Sequence, residues 1–245
     1  NMCPKFQKKA IGRGAAYIYI ESIASLISGY IFWLIMSKLT SSEVIGTSST
    51  VVTFATIVAV IAGLGITTGM QPYIAKSLSE KRIEDAKVYF IICFLLVCIG
   101  IFVCCISILI AGHWIANPFG IDFGLIMMSI LLVASYNTST LFRSVVVSSL
   151  RTQSLPLIFI LSAGAKIVLS SLLLVLGLGS VGLVFGFTLN YVLSSVLLVF
   201  IILRTVFKTA KIKNVLENLK NNAKKILQAS VVNWVPILIM IIGSQ

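Results

Sequence analysis

The stretch from Val88 to Ala111, VYFIICFLLVCIGIFVCCISILIA, runs for 24 residues without a charged side chain. A helix of that length rises about 36 Å, enough to cross a hydrocarbon core of about 30 Å. The same signal recurs on both sides of it. Apolar blocks run from Ala15 to Ser37, Gly46 to Ala75, Ile121 to Val147, Leu155 to Leu176 and Val181 to Leu203, and a seventh begins near Ile226 and reaches Gln245. The expected fold is therefore all-α, a polytopic transmembrane helix bundle of six spans plus the start of a seventh. Residues 1–204 read as one six-helix lobe, 205–225 as a basic amphipathic linker, and 226–245 as the opening of a second lobe. The last block ends without a charged flank, so the natural chain is expected to continue.

Composition excludes the water-soluble classes. Apolar residues make up 58% of the chain and charged residues 11%, with a mean hydropathy of +1.07, too little polar surface to clothe a soluble domain. A net charge of +12 would raise nucleic acid as a partner, but the charges sit between apolar blocks rather than among aromatics on a polar platform, so no nucleic acid is expected. Cys3, Cys93, Cys98, Cys104 and Cys105 form no CxxC pair and read as free thiols packed as small hydrophobes.

Basic residues give the orientation. With the N-terminus cytoplasmic, 17 of the 19 lysines and arginines fall in inner segments, the pattern that positive-inside insertion demands. Lys38 lies on the outer side and Lys166 within a span. The expected location is the cytoplasmic membrane, multi-pass, with the N-terminus inside. Lys5, Lys8, Lys9 and Arg13 precede the first block, which reads as an uncleaved signal anchor. In the linker, Ile212, Leu216, Leu219 and Ala223 recur at helical spacing among lysines, a face suited to anionic lipid headgroups at the inner surface. Gly65 with Gly69 and Gly182 with Gly186 make two GxxxG pairs, read first as helix packing.

An enzyme or metal centre would need clustered reactive groups, and the chain has seven acids and one histidine. No metal, cofactor or catalytic residue is expected. His113 beside Trp114 reads as an interfacial aromatic turn. Glu80, Glu84 and Asp85 lie among Lys81, Arg82 and Lys87, where charge pairing explains them better than a transferase metal site.

The informative residues are those that are expensive in lipid. Lys166 falls midway along the fifth block, where a lysine costs roughly 2.5–3.5 kcal/mol. Ser162 and Ser170 extend its face into a polar stripe. The fourth block carries Tyr136, Thr140, Ser144 and Ser148 at four-residue steps with Arg143 beside them; the first carries Glu21 and Ser25. Gln71 on the second block and Asn190 and Ser194 on the sixth add further polar groups. Together they suggest a hydrated, positively charged cavity suited to phosphate or pyrophosphate. An internal ion pair of Glu21 with Arg143 or Lys166 is the competing account.

Several segments carry a resemblance. Gly12-Arg13-Gly14-Ala15-Ala16-Tyr17-Ile18, the turn from Lys38 to Gly46, the run from Ile61 to Ala75, and Asn233-Trp234-Val235-Pro236 after a long basic link are similar to the polysaccharide transporter branch of the multidrug/oligosaccharidyl-lipid/polysaccharide exporter superfamily. Members have two six-helix lobes around a central cavity, and this sequence resembles the first. The resemblance implies a non-enzymatic flippase for a lipid-linked oligosaccharide, used in polysaccharide biosynthesis and working by alternating access. Arg13, Arg143 and Lys166 would be charge contacts, Glu21 a pairing or coupling carboxylate, and Gln71 and Asn190 secondary polar contacts. Alternatives are a drug or ion antiporter of the same superfamily, which a free acid in this lobe would favour, and a noncatalytic transmembrane subunit of a larger complex.

Overall fold

The computed structural model describes residues 4–117 and 120–205, together with Gln228, Ser230 and Trp234. The linker at 205–225 and the block at 226–245 otherwise lie outside the described residues, as does Cys3. Eight α-helices follow one another: α1 Pro4–Leu39, α2 Ser42–Gly63, α3 Ile66–Gly69, α4 Gln71–Ser79, α5 Ile83–Ala116, α6 Phe123–Ser148, α7 Leu155–Val175 and α8 Gly179–Thr205. Six of them are long and apolar enough to cross a bilayer, so the chain is a multi-pass helical membrane protein as its hydropathy requires. Side chains such as Leu26, Ile110, Trp114 and Val175 are largely exposed on these helices, the surface that lipid covers.

Local signals set the helix ends. Ser41 caps α2 by accepting the Val44 N–H, and Asp122 caps α6 by accepting the Gly124 N–H. Pro156 stands in the first turn of α7, where its missing N–H costs nothing. Short connections fold the chain back on itself, and α6 sits at the centre, packed on α2, α5 and α8, while α1 leans on α7.

The second apolar block departs from its expected form. Instead of one span through Ala75, the helix stops at Gly63; Leu64 (φ 46°) and Gly65 (φ 65°) are left-handed, and α3 and α4 resume the path. Gly65 and Gly69 still act as a packing pair, because a methyl at Gly65 would come within 2.7 Å of Ser230 O and one at Gly69 within 3.0 Å of Ser230 Cα. Glycine supplies the turn at Gly65, and Leu64 bears a strain of about 1–2 kcal/mol. Pro72 sits in the first turn of α4, where its missing N–H costs nothing.

A broken helix at membrane depth must have its freed carbonyls satisfied by protein. Here Asn137 of α6 donates its Nδ2 to Ala59 O at 3.0 Å. With the Leu64 N–H turned to Ile61 O, Val60 O accepts instead from Trp234 Nε1 at 3.2 Å.

The second GxxxG pair does pack as expected. A methyl at Gly182 would come within 2.8 Å of Leu173 Cβ, and one at Gly186 would overlap the Ser170 hydroxyl, so α7 and α8 meet almost backbone to backbone. Replacing Gly186 with Leu should force these helices apart and cost about 1–3 kcal/mol. Gly164, which has open space around its missing side chain, should accept Leu with little change. Thermal unfolding in detergent compares the two, and equal melting temperatures would remove the packing role.

Candidate functional site

The costly polar side chains form two arrangements. In the first, Arg143 of α6 clasps Glu21 of α1: its Nε and Nη2 donate to Oε1 and Oε2, both at 2.7 Å. Both carboxylate oxygens are consumed by one guanidinium, the strongest geometry such a pair can adopt. Glu21 is buried, while about a third (36%) of the Arg143 side chain stays accessible. Next along α6, Ser144 accepts Gln71 Nε2 at 3.2 Å, which ties α4 to the same place. The internal-pair account of Glu21 is therefore the one realised, with Arg143 as its partner.

The second arrangement lies among α1, α7 and α8. Lys166 is 6% exposed, and its ammonium stands 4.6 Å from the Phe32 ring centre and 4.4 Å from that of Phe187. The two rings meet edge to face at 4.9 Å, with Trp33 behind Phe32 at 5.1 Å. Desolvated cation–π contacts are worth about 2 kcal/mol each, enough to offset the roughly 2.5–3.5 kcal/mol a mid-span lysine costs. The aromatic pair thus holds the charge without cancelling it. Among the described residues no carboxylate reaches salt-bridge distance of Lys166. Asn190 of α8 is buried, and its Oδ1 has no hydrogen-bond partner.

The six expected site residues do not converge on one point. Glu21, Arg143 and Gln71 gather between α1, α4 and α6; Lys166 stands between α1, α7 and α8; Asn190 is buried on α8; Arg13 is exposed in the N-terminal part of α1. A ladder step links the two groups, where Ser139 of α6 donates to Ser194 of α8 at 3.2 Å. A separate cavity of about 320 Å3 between α2 and α6 is lined by Ser49, Thr53, Phe54, Ile57, Ile121 and Ile126 among others and touches none of the six.

Phe32 and Phe187 were not among the expected site residues, since an aromatic in an apolar block carries no signal of its own. Asn137 was not among them either; its polarity in the middle of an apolar block was the usable clue. Elsewhere, Arg82 pairs with Glu80 and, at 3.2 Å, with Asp85, which accounts for two of the three acids on that link. His113 packs edge-on to Phe123.

Fold and site together define a polytopic membrane bundle with a positively charged interior. No protein-family model and no curated protein sequence matches the chain. Solved structures do. A MOP superfamily transporter from Pyrococcus furiosus, whose binding pocket is described as reversed in polarity and so suggestive of a different function, superimposes with a TM-score of 0.70 at 21% identity, over 93% of this chain and 52% of that one. An outward-facing multidrug resistance MATE family transporter of the same superfamily gives the same values. A MATE protein in complex with MaD5 gives 0.68 at 20% identity, over 93% of this chain and 53% of that one. The chain therefore has the fold of about half of a MOP superfamily transporter.

Removing one member of the Glu21–Arg143 pair should be costly. Glu21→Gln is expected to lower stability by about 1–2 kcal/mol, less than for a sealed pair because Arg143 is partly wet. The exchanged pair Glu21→Arg with Arg143→Glu should recover most of that. Chemical or thermal unfolding of the single and double variants measures it; a double variant no better than the sum of its parts would show that the two side chains do not depend on each other.

Proposed function

We propose that this chain forms the first helix lobe of a transporter that moves a lipid-linked oligosaccharide bearing a pyrophosphate across the cytoplasmic membrane by alternating access. Its N-terminus lies on the cytoplasmic side, with the basic linker at 205–225 against anionic headgroups and a second lobe beginning at 226–245.

One observation carries the choice of substrate class. Among the described residues, Glu21 is the acid at depth within the spans, and Arg143 neutralises it, whereas Lys166 keeps an uncompensated charge. The membrane interior of this lobe is net positive, the complement of an anionic ligand. Arg13, at the mouth of α1, would meet the phosphates first; Lys166 would hold them at depth, with Asn190 and Gln71 as polar contacts. Part of the Arg143 guanidinium is open to the same approach.

Drug antiport coupled to a cation, suggested by the multidrug resistance neighbour, calls for a free carboxylate, and Glu21 is held by both oxygens. A noncatalytic subunit would share the fold but move nothing itself.

The test is translocation in proteoliposomes. With the protein as encoded and a fluorescent polyprenyl-pyrophosphate sugar, wild type should move the probe between leaflets, and Lys166→Ala should slow it about tenfold or more, with membrane insertion unchanged. Equal rates would remove Lys166 from the mechanism. Gradient-driven exchange of a cationic dye, with no movement of the glycan lipid, would establish the antiporter instead.

A further inference from the structure

The neighbourhood of Lys166 holds more unmet polarity than the charge alone. Three side-chain atoms on the same three helices are enclosed without a hydrogen-bond partner: Ser28 Oγ on α1, Ser170 Oγ on α7 and Asn190 Oδ1 on α8. Helix serines in this protein ordinarily donate to their own backbone a turn earlier, as Ser48, Ser148, Ser171 and Ser195 do. Ser28 and Ser170 do not, so their hydroxyl protons remain free for another acceptor.

Helix register brings these groups to Lys166. Along the antiparallel contact of α7 and α8, Gly182 meets Leu173, and Gly186 meets Ser170 and the Lys166 carbonyl. Continuing that register by one turn carries Asn190 to the level of Lys166 and Ser162. Ser28 lies one turn from Phe32, whose ring covers the ammonium. An ammonium and two free hydroxyls thus gather at the α1–α7–α8 contact beside the Phe32 and Phe187 rings, with the Asn190 carboxamide on the adjoining turn of α8. The ammonium and the two hydroxyls can donate, whereas the free Asn190 oxygen can only accept, and among the described residues no acid pairs with Lys166.

We propose that a pocket here binds a single small inorganic anion of halide size, held by Lys166 with Ser28 and Ser170. Water would satisfy the hydroxyls but would leave the lysine charge without a counter-ion in a low-dielectric setting, which only an anion supplies. Size follows from closure: Lys166 and Asn190 are 6% and 7% exposed and Ser170 is fully buried, so a lipid-linked pyrophosphate does not fit while the helices are packed this way. The use of the ion rests on the transporter reading above: a resident anion neutralises Lys166 while the protein is empty and leaves when the phosphate of the substrate arrives.

Trp33 sits against these rings, 5.1 Å from Phe32 and 5.7 Å from Phe187, and reports on the pocket. Bromide titrated against gluconate at constant ionic strength, on detergent-purified protein without substrate, should give a saturable fluorescence quench that chloride competes away. Trp33→Phe should remove that component. Lys166→Met should abolish it and Lys166→Arg keep it, while Ser170→Ala should weaken bromide binding about tenfold, the loss of one hydrogen bond to a charge. Chloride should also raise the melting temperature of wild type but not of Lys166→Met, which checks that the variant folds. Purely linear quenching in wild type, a saturable component unchanged in Lys166→Met, or saturation by pyrophosphate in place of chloride would each overturn the assignment. None of these readouts involves movement of a glycan lipid, so failure here leaves the translocation test standing, and the reverse.

Discussion

In a bilayer there is no water to rescue an unpaired polar group, and each feature of this structure answers to that constraint. Where α2 ends and the backbone turns at Leu64–Gly65, Asn137 and Trp234 supply donors to the Ala59 and Val60 carbonyls. Glu21 can lie buried because a guanidinium takes both its oxygens. Lys166 can remain charged because two aromatic faces stand where a carboxylate would otherwise be needed. Each solution uses a different chemistry, and only the last leaves charge unspent.

The two buried cations are therefore not equivalent, although both are basic residues in apolar blocks. Arg143 has five fixed donors suited to a forked acceptor, and it has found one. A lysine cannot make that fork, and its compact ammonium suits the cleft between Phe32 and Phe187. The division separates a clamp joining α1 to α6 from a lysine that, among the described residues, has no acid beside it. In the neighbouring Pyrococcus furiosus transporter, pocket polarity is what suggests a different function; here the polarity is set by which of two cations has an acid beside it.

Much of this was legible in the chain itself. Uncharged runs such as Val88–Ala111 and the alternation of basic connections give the spans, since insertion energy depends on composition summed over a length. Lys166, Glu21 and Arg143 were also readable, because a charge deep in an apolar block is conspicuous. The break at Leu64–Gly65 was not: hydropathy averages over side chains and is blind to a backbone that changes direction, so the glycines there revealed their packing role, which the approach of Ser230 fulfils, but not the turn. Nor were Phe32 and Phe187 legible, because what distinguishes them from other phenylalanines is the neighbour each acquires across helices. The pairing of Glu21 with Arg143 rather than Lys166 was likewise undecided until the helices were placed, α1 meeting both α6 and α7.

The capping of Val60 by Trp234 spans 174 residues of chain, and that distance has a meaning for biosynthesis. The second span enters the bilayer long before Trp234 has been made. Through that interval the Val60 carbonyl lacks its indole donor, and an unbroken helix, with Leu64 turned back onto Val60, is the state that leaves nothing bare. The turn at Gly65 and the Trp234 indole thus belong to one arrangement, and a second span made without Trp234 lacks the donor that Val60 uses.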